Sequence, residues 1–150
     1  MSLEDMSGRE KSAWITLVSV VVCFGVYYGA ILGGLVESAS FEAFHLGLGC
    51  ILAVIAVQVG FNLVATFVNP AEARTPRDER EQLIQSRSHT VGYYTLMFGV
   101  VVVVIATHLP VHGRSKMDII VSTVNLGVLA MVVAAVAVAI SQILMFRRGA

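Results

Sequence analysis

Polar and apolar residues are segregated along this chain rather than interleaved. Four long apolar runs, 13–36, 41–68, 90–109 and 119–146, alternate with short polar stretches. They are 24, 28, 20 and 28 residues long, and a helix rising about 1.5 Å per residue needs roughly 20 to cross about 30 Å of hydrocarbon. Glu42, in the first turn of the second run, is the only Asp, Glu, Lys or Arg in any of them. Membrane β-strands would alternate in segments of about 10 residues, and these runs do not. The pattern predicts an all-α integral membrane protein with four spans.

Start and stop signals bound the spans. Ser7-Gly8-Arg9-Glu10 reads as a capping box before the first, and Ser115-Lys116-Met117-Asp118 opens the fourth. Thr75-Pro76-Arg77-Asp78 reads the same way, with proline at the first helical position, where its missing N–H is not needed. Asn69-Pro70 ends the second span, because proline cannot continue the hydrogen-bond ladder. The third helix is therefore expected to begin at Pro76 and to carry an extension over about 76–89 outside the hydrocarbon. Connections at 37–40, 69–89 and 110–118 leave no room for another domain. The expected architecture is one transmembrane domain over 1–150, a four-helix bundle running up-down-up-down. The first run is too long for a signal-peptide core of roughly 7–15 residues, so it is read as a span.

Charge sets the orientation and narrows the function. Arg9, Lys11, Arg74, Arg77, Arg80, Arg87, Arg147 and Arg148 flank one side, and only Arg114 and Lys116 the other. Basic residues favour the cytoplasmic side, which places both termini in the cytoplasm and the protein in an inner membrane. Charged residues make up 13% and hydrophobic ones 57%, whereas soluble domains carry about 25% charged. The formal net charge is zero. A soluble domain, a disordered chain and a nucleic-acid binder are excluded. The bilayer is the first partner.

In lipid, helices associate through close packing and hydrogen bonds. Gly25, Gly29 and Gly33 form a double GxxxG on the first span, while Gly49, Ala53, Ala56 and Gly60, and Ala130, Ala134 and Ala137, offer further small-residue faces. The expected use is packing within the bundle; the alternative is a seam to a second copy or to a membrane-protein partner. Gln58, Asn62 and Thr66 recur at every fourth residue, a polar stripe expected to bond to the fourth helix.

Candidate chemistry is confined to the membrane boundaries. His45, His108 and His112 map to the outer side with Glu42, and His89 to the inner side. Imidazoles from two helices suit a haem iron, here His45 and His108. Three imidazoles and a carboxylate, here His45, His108, His112 and Glu42, suit a transition metal. The sequence requires neither cofactor, and histidines that simply meet headgroups are the plainer reading. No acidic residue lies deep in a span, which disfavours proton-coupled transport; a small transporter with a path along Gln58, Asn62 and Thr66 is the remaining transport reading. No hydrolase, metalloprotease or phosphate-loop motif is present. Cys23 and Cys50 have no metal or redox spacing and read as buried thiols.

The segment 78–87 is the most distinctive part. Asp78, Glu79, Arg80, Glu81 and Arg87 form either a solvated helix extension or a docking surface for a partner. Asp78-Glu79-Arg80-Glu81, followed by Leu83-Ile84 and then Gly92-Tyr93-Tyr94 at the start of a span, resembles a group of uncharacterised small prokaryotic membrane proteins. Those carry an Asp-Glu-Arg-(Asp/Glu)-x-x-Ile stretch leading into a transmembrane helix. The likeness covers about 20 residues plus the four-span plan. Some members are similar to proteins encoded beside small helix-turn-helix regulators, so the resemblance implies a regulatory or stress-related role and transfers no catalytic residue. The functional expectation is a non-enzymatic accessory, regulatory or assembly component.

Overall fold

The computed structural model describes residues 8–68, 78–108 and 115–148. They form four helices: α1 (Gly8–Leu32), α2 (Phe41–Val68), α3 (Glu79–His108) and α4 (Lys116–Arg148). All four are long and apolar enough to cross a membrane, which makes this a multi-pass membrane protein. No strand occurs among the described residues.

Local chemistry sets the helix ends. At α4 the expected reciprocal box forms: Asp118 N–H donates to Ser115 Oγ at 3.1 Å and Ser115 N–H to Asp118 Oδ2 at 3.0 Å. At α3 the cap is Asp78 rather than Thr75. Glu81 Oε2 accepts from Asp78 N–H at 3.3 Å, and Asp78 O takes the first helical bond, from Gln82 N–H at 3.0 Å. Residues 75–77 and the Asn69-Pro70 stop lie outside the described residues, as does Ser7 of the first box. Ser40 caps α2 by accepting from Ala43 N–H at 3.1 Å.

The first helix stops four residues short of its apolar run. Gly34 adopts φ +69°, Leu35 N–H reaches back to Ala30 O at 2.9 Å and Gly34 N–H to Ile31 O at 3.1 Å. This is a Schellman ending, which needs a residue free to be left-handed. Gly33 thus belongs to a helix terminus rather than to a packing stripe.

The helices stand in the order α2, α1, α4, α3, each packed against its neighbours in that row. Neighbours are antiparallel. Glu10 meets Arg147 at one end of the α1–α4 pair while Tyr27 meets Asn125 further along, and Gly92 and Gly99 of α3 face Val138 and Ala130 of α4. A ring of four would bring α2 against α3. Instead, among the described residues, α2 packs on α1 alone, and the backbones of α2 and α3 stay apart. Apolar side chains gain little by leaving lipid, so nothing hydrophobic forces the row to close.

Small residues make the tightest seam, between α3 and α4. A Cβ on Gly99 would lie 2.7 Å from the Cβ of Ala130, and one on Gly92 would lie 2.3 Å from Val138 Cγ2. Ser88 is fully buried there, and Gln142 Nε2 donates to its Oγ at 3.2 Å. The α1–α2 seam uses Ala43, Gly47 and Cys50, with Gly47 against the Tyr27 ring and the Cys50 thiol donating to Cys23 O at 3.1 Å.

Candidate functional site

Polar side chains gather at three places. The first is the end of the molecule carrying most of the basic residues, hereafter the basic end. There Glu10, only 6% exposed, accepts from Arg147 Nε at 3.3 Å, and the Arg147 guanidinium sits 5.3 Å from the centre of the Trp14 ring. Arg9 forms an ion pair with Glu81, so α1 holds both α4 and α3 by charge. A buried carboxylate tolerates low dielectric only with such partners. Arg80 is engaged within the chain, whereas Asp78, Glu79, Arg80 and Arg87 are all exposed. Of the segment read as a docking surface, Glu81 is turned inward to Arg9 and to the α3 cap.

The second place lies between the apolar stretches of α1 and α4. Tyr27 O–H donates to Asn125 Oδ1 at 2.7 Å and Tyr28 O–H to Asn125 O at 2.8 Å, while Asn125 Nδ2 donates to Val121 O at 3.0 Å. Tyr27 and Tyr28 thus supply the polar link between α1 and α4. Their signal was a paired Tyr opposite a lone Asn in another span.

The third is the stripe on α2. Gln58 is half-buried, and Asn62 and Thr66 are exposed. Thr66 Oγ1 bonds back to Asn62 O at 2.8 Å. The expected ladder to the fourth helix does not form, because α1 stands between α2 and α4. Among the described residues the amides of Gln58 and Asn62 have no hydrogen-bond partner.

The histidines are not brought together. His45 on α2 and His108 on α3 sit on the two outer helices of the row, with α1 and α4 between them. Each is exposed and has its Nδ1 2.8 Å from the carbonyl one turn back in its own helix, Phe41 O and Val104 O respectively. Glu42 is exposed one turn from His45, and His112 lies outside the described residues. No group of three or more His, Cys, Asp or Glu among the described residues is arranged to hold a metal ion.

No protein-family model, curated protein or solved structure matches the chain.

The glycine stripe also departs from its expected use. Gly25 and Gly29 are exposed, and a Cβ on either would meet nothing within 4 Å. The glycines in close contact are Gly47, Gly92 and Gly99, which follow no four-residue repeat.

Proposed function

We propose that this protein is a non-enzymatic accessory or assembly component of the inner membrane, both termini cytoplasmic, which associates laterally through the open side of α2. The observation that carries this reading is the pair of amides without partners on that helix. At about 1.5 Å per residue, Gln58 and Asn62 lie about 15 Å and about 9 Å from the end of α2 at the basic side. An amide facing hydrocarbon without a partner costs several kcal/mol, so a face that presents two of them is built to meet another polar helix. The open row supports the same reading, since among the described residues α2 packs on one helix only. The exposed Asp78, Glu79 and Arg80 stand on α3, at the other end of the row, and would offer a partner a separate contact outside the bilayer.

The test is photocrosslinking from the position of Ile55, exposed one turn before Gln58, in native membranes, with the Gln58→Leu/Asn62→Leu variant as comparison. Adducts to one defined membrane protein, or to a second copy, that disappear in the double variant are expected. Crosslinks to lipid alone, unchanged by the double variant, would overturn the proposal.

A further inference from the structure

Between α3 and α4 at the basic end lies a surface groove of about 520 Å³, lined by Val91, Ala137, Ile140, Ser141, Leu144 and Arg148 among others. It is on the far side of the row from α2, so its fate is independent of the lateral association proposed above. Its walls are apolar and still exposed: Val91 and Ile140 each keep 42% of their surface and Leu144 45%. Along α4 it runs from Ala137 to Arg148, about 16 Å at the helical rise.

Positive charge is concentrated at its mouth. The last two residues of α4 have opposite fates. Arg147 is committed to Glu10 and Trp14, whereas Arg148 turns into the groove, exposed and with no ion pair among the described residues. Arg87 stands one turn before Val91 on the same side of α3, also exposed and without an ion pair among the described residues. The register of the two helices, Ser88 against Gln142 and Gly92 against Val138, sets Arg87 level with residue 143. That is about 7.5 Å above Arg148 along the axis. Arg148 thus lines the apolar channel, and Arg87 stands one turn from its Val91 wall, where α3 changes from polar to apolar sequence.

We infer that this groove holds an anionic phospholipid, its phosphate between Arg87 and Arg148 and an acyl chain along Val91, Ala137, Ile140 and Leu144. Guanidinium matches phosphate geometry with two parallel hydrogen bonds, and basic pockets between spans at the cytoplasmic face suit anionic headgroups. A free anion would use the arginines but not the channel. A lipid uses both, because its chains lie along the bilayer normal, as α4 does. Ser141, half-way along, offers a hydroxyl to the ester region. A zwitterionic lipid fills the channel equally well but brings a choline or ammonium group that the two arginines repel.

Native mass spectrometry from a mild detergent, with phosphatidylglycerol and phosphatidylcholine of matched chains in competition, reads this directly. The intact protein is expected to retain one phosphatidylglycerol with a preference of roughly 30-fold, the size that two arginines near a headgroup supply. In Arg87→Gln/Arg148→Gln the preference falls to near one, and in Ala137→Phe, which fills the channel, retention of both lipids falls. Circular dichroism confirms helix content in each; if Ala137→Phe fails to fold, the arginine pair alone decides. Equal retention of the two lipids, a preference that survives the double substitution, or displacement of the lipid by glycerol phosphate at matched concentration would each overturn the assignment.

Discussion

Gly99 and Gly25 have the same side chain and opposite consequences. On Gly99 a methyl group would meet the Cβ of Ala130 at 2.7 Å, a group with no rotamer to escape into. The Gly99→Ala variant should lose about 1–3 kcal/mol, the usual range for overpacking. At Gly25 nothing lies within 4 Å, so Gly25→Ala should be neutral or gain up to about 1 kcal/mol from reduced chain entropy. Unfolding midpoints in mixed detergent micelles measure both, and destabilisation by Gly25→Ala would reveal a helix packed on that face. The Tyr27–Asn125 bond is equally local. A double-mutant cycle with Tyr27→Phe and Asn125→Ala should give a coupling of about 0.6 kcal/mol and no more than about 1.7, as for other hydrogen bonds inside membranes. Every one of these residues is visible in the sequence, yet nothing local separates a glycine that touches a neighbour from one that faces lipid.

At the scale of elements, α2 is attached through one seam among the described residues. That seam rests on Ala43, Gly47 and Cys50, with Cys50 8% exposed. In Gly47→Val the branched side chain meets Tyr27, whose ring carbon Cε2 would already lie 3.1 Å from a Cβ there. We expect α2 to part from α1 while the α1–α4–α3 contacts persist. In a Cys23→Ala background, alkylation of Cys50 by a membrane-permeant maleimide should then run faster than in the parent. An unchanged rate would mean that α2 is held by contacts beyond this seam. The four helices themselves were legible, because span length and charge exclusion are properties of a run of residues. Their pairing was not. His45 and His108 lie at similar depth in spans that follow one another, and still α2 and α3 are not neighbours.

The whole molecule has a polarity that its charges impose. Glu10, Arg147, Arg9 and Glu81 tie α1, α3 and α4 together at the basic end. Arg147→Ala removes both a bond to a buried carboxylate and the stacking on Trp14, and should lower stability by about 1.5–3 kcal/mol. The proposed orientation, with that end in the cytoplasm, rests on the positive-inside rule and predicts the outcome of reporter fusions. A green fluorescent protein fused after Ala150 should fluoresce, and alkaline phosphatase fused there should be inactive; the reverse pattern would invert the topology.

By itself the amino-acid order determined the elements: four spans, the reciprocal cap at Ser115, the segregation of basic residues to one end and the absence of an acid deep in the bilayer. Each depends on short-range rules of helix length, capping and the cost of charge in hydrocarbon. Tertiary structure alone decided the order of helices in the row, which glycines touch a neighbour, which polar side chains find a partner, and that Arg148 and Val91 line one groove. The reason lies in the solvent. Water drives apolar faces together, so a soluble amphipathic helix announces its buried side in its sequence. Lipid accepts every apolar face alike, and the choice among neighbours rests on a few close contacts and hydrogen bonds between residues far apart in the chain.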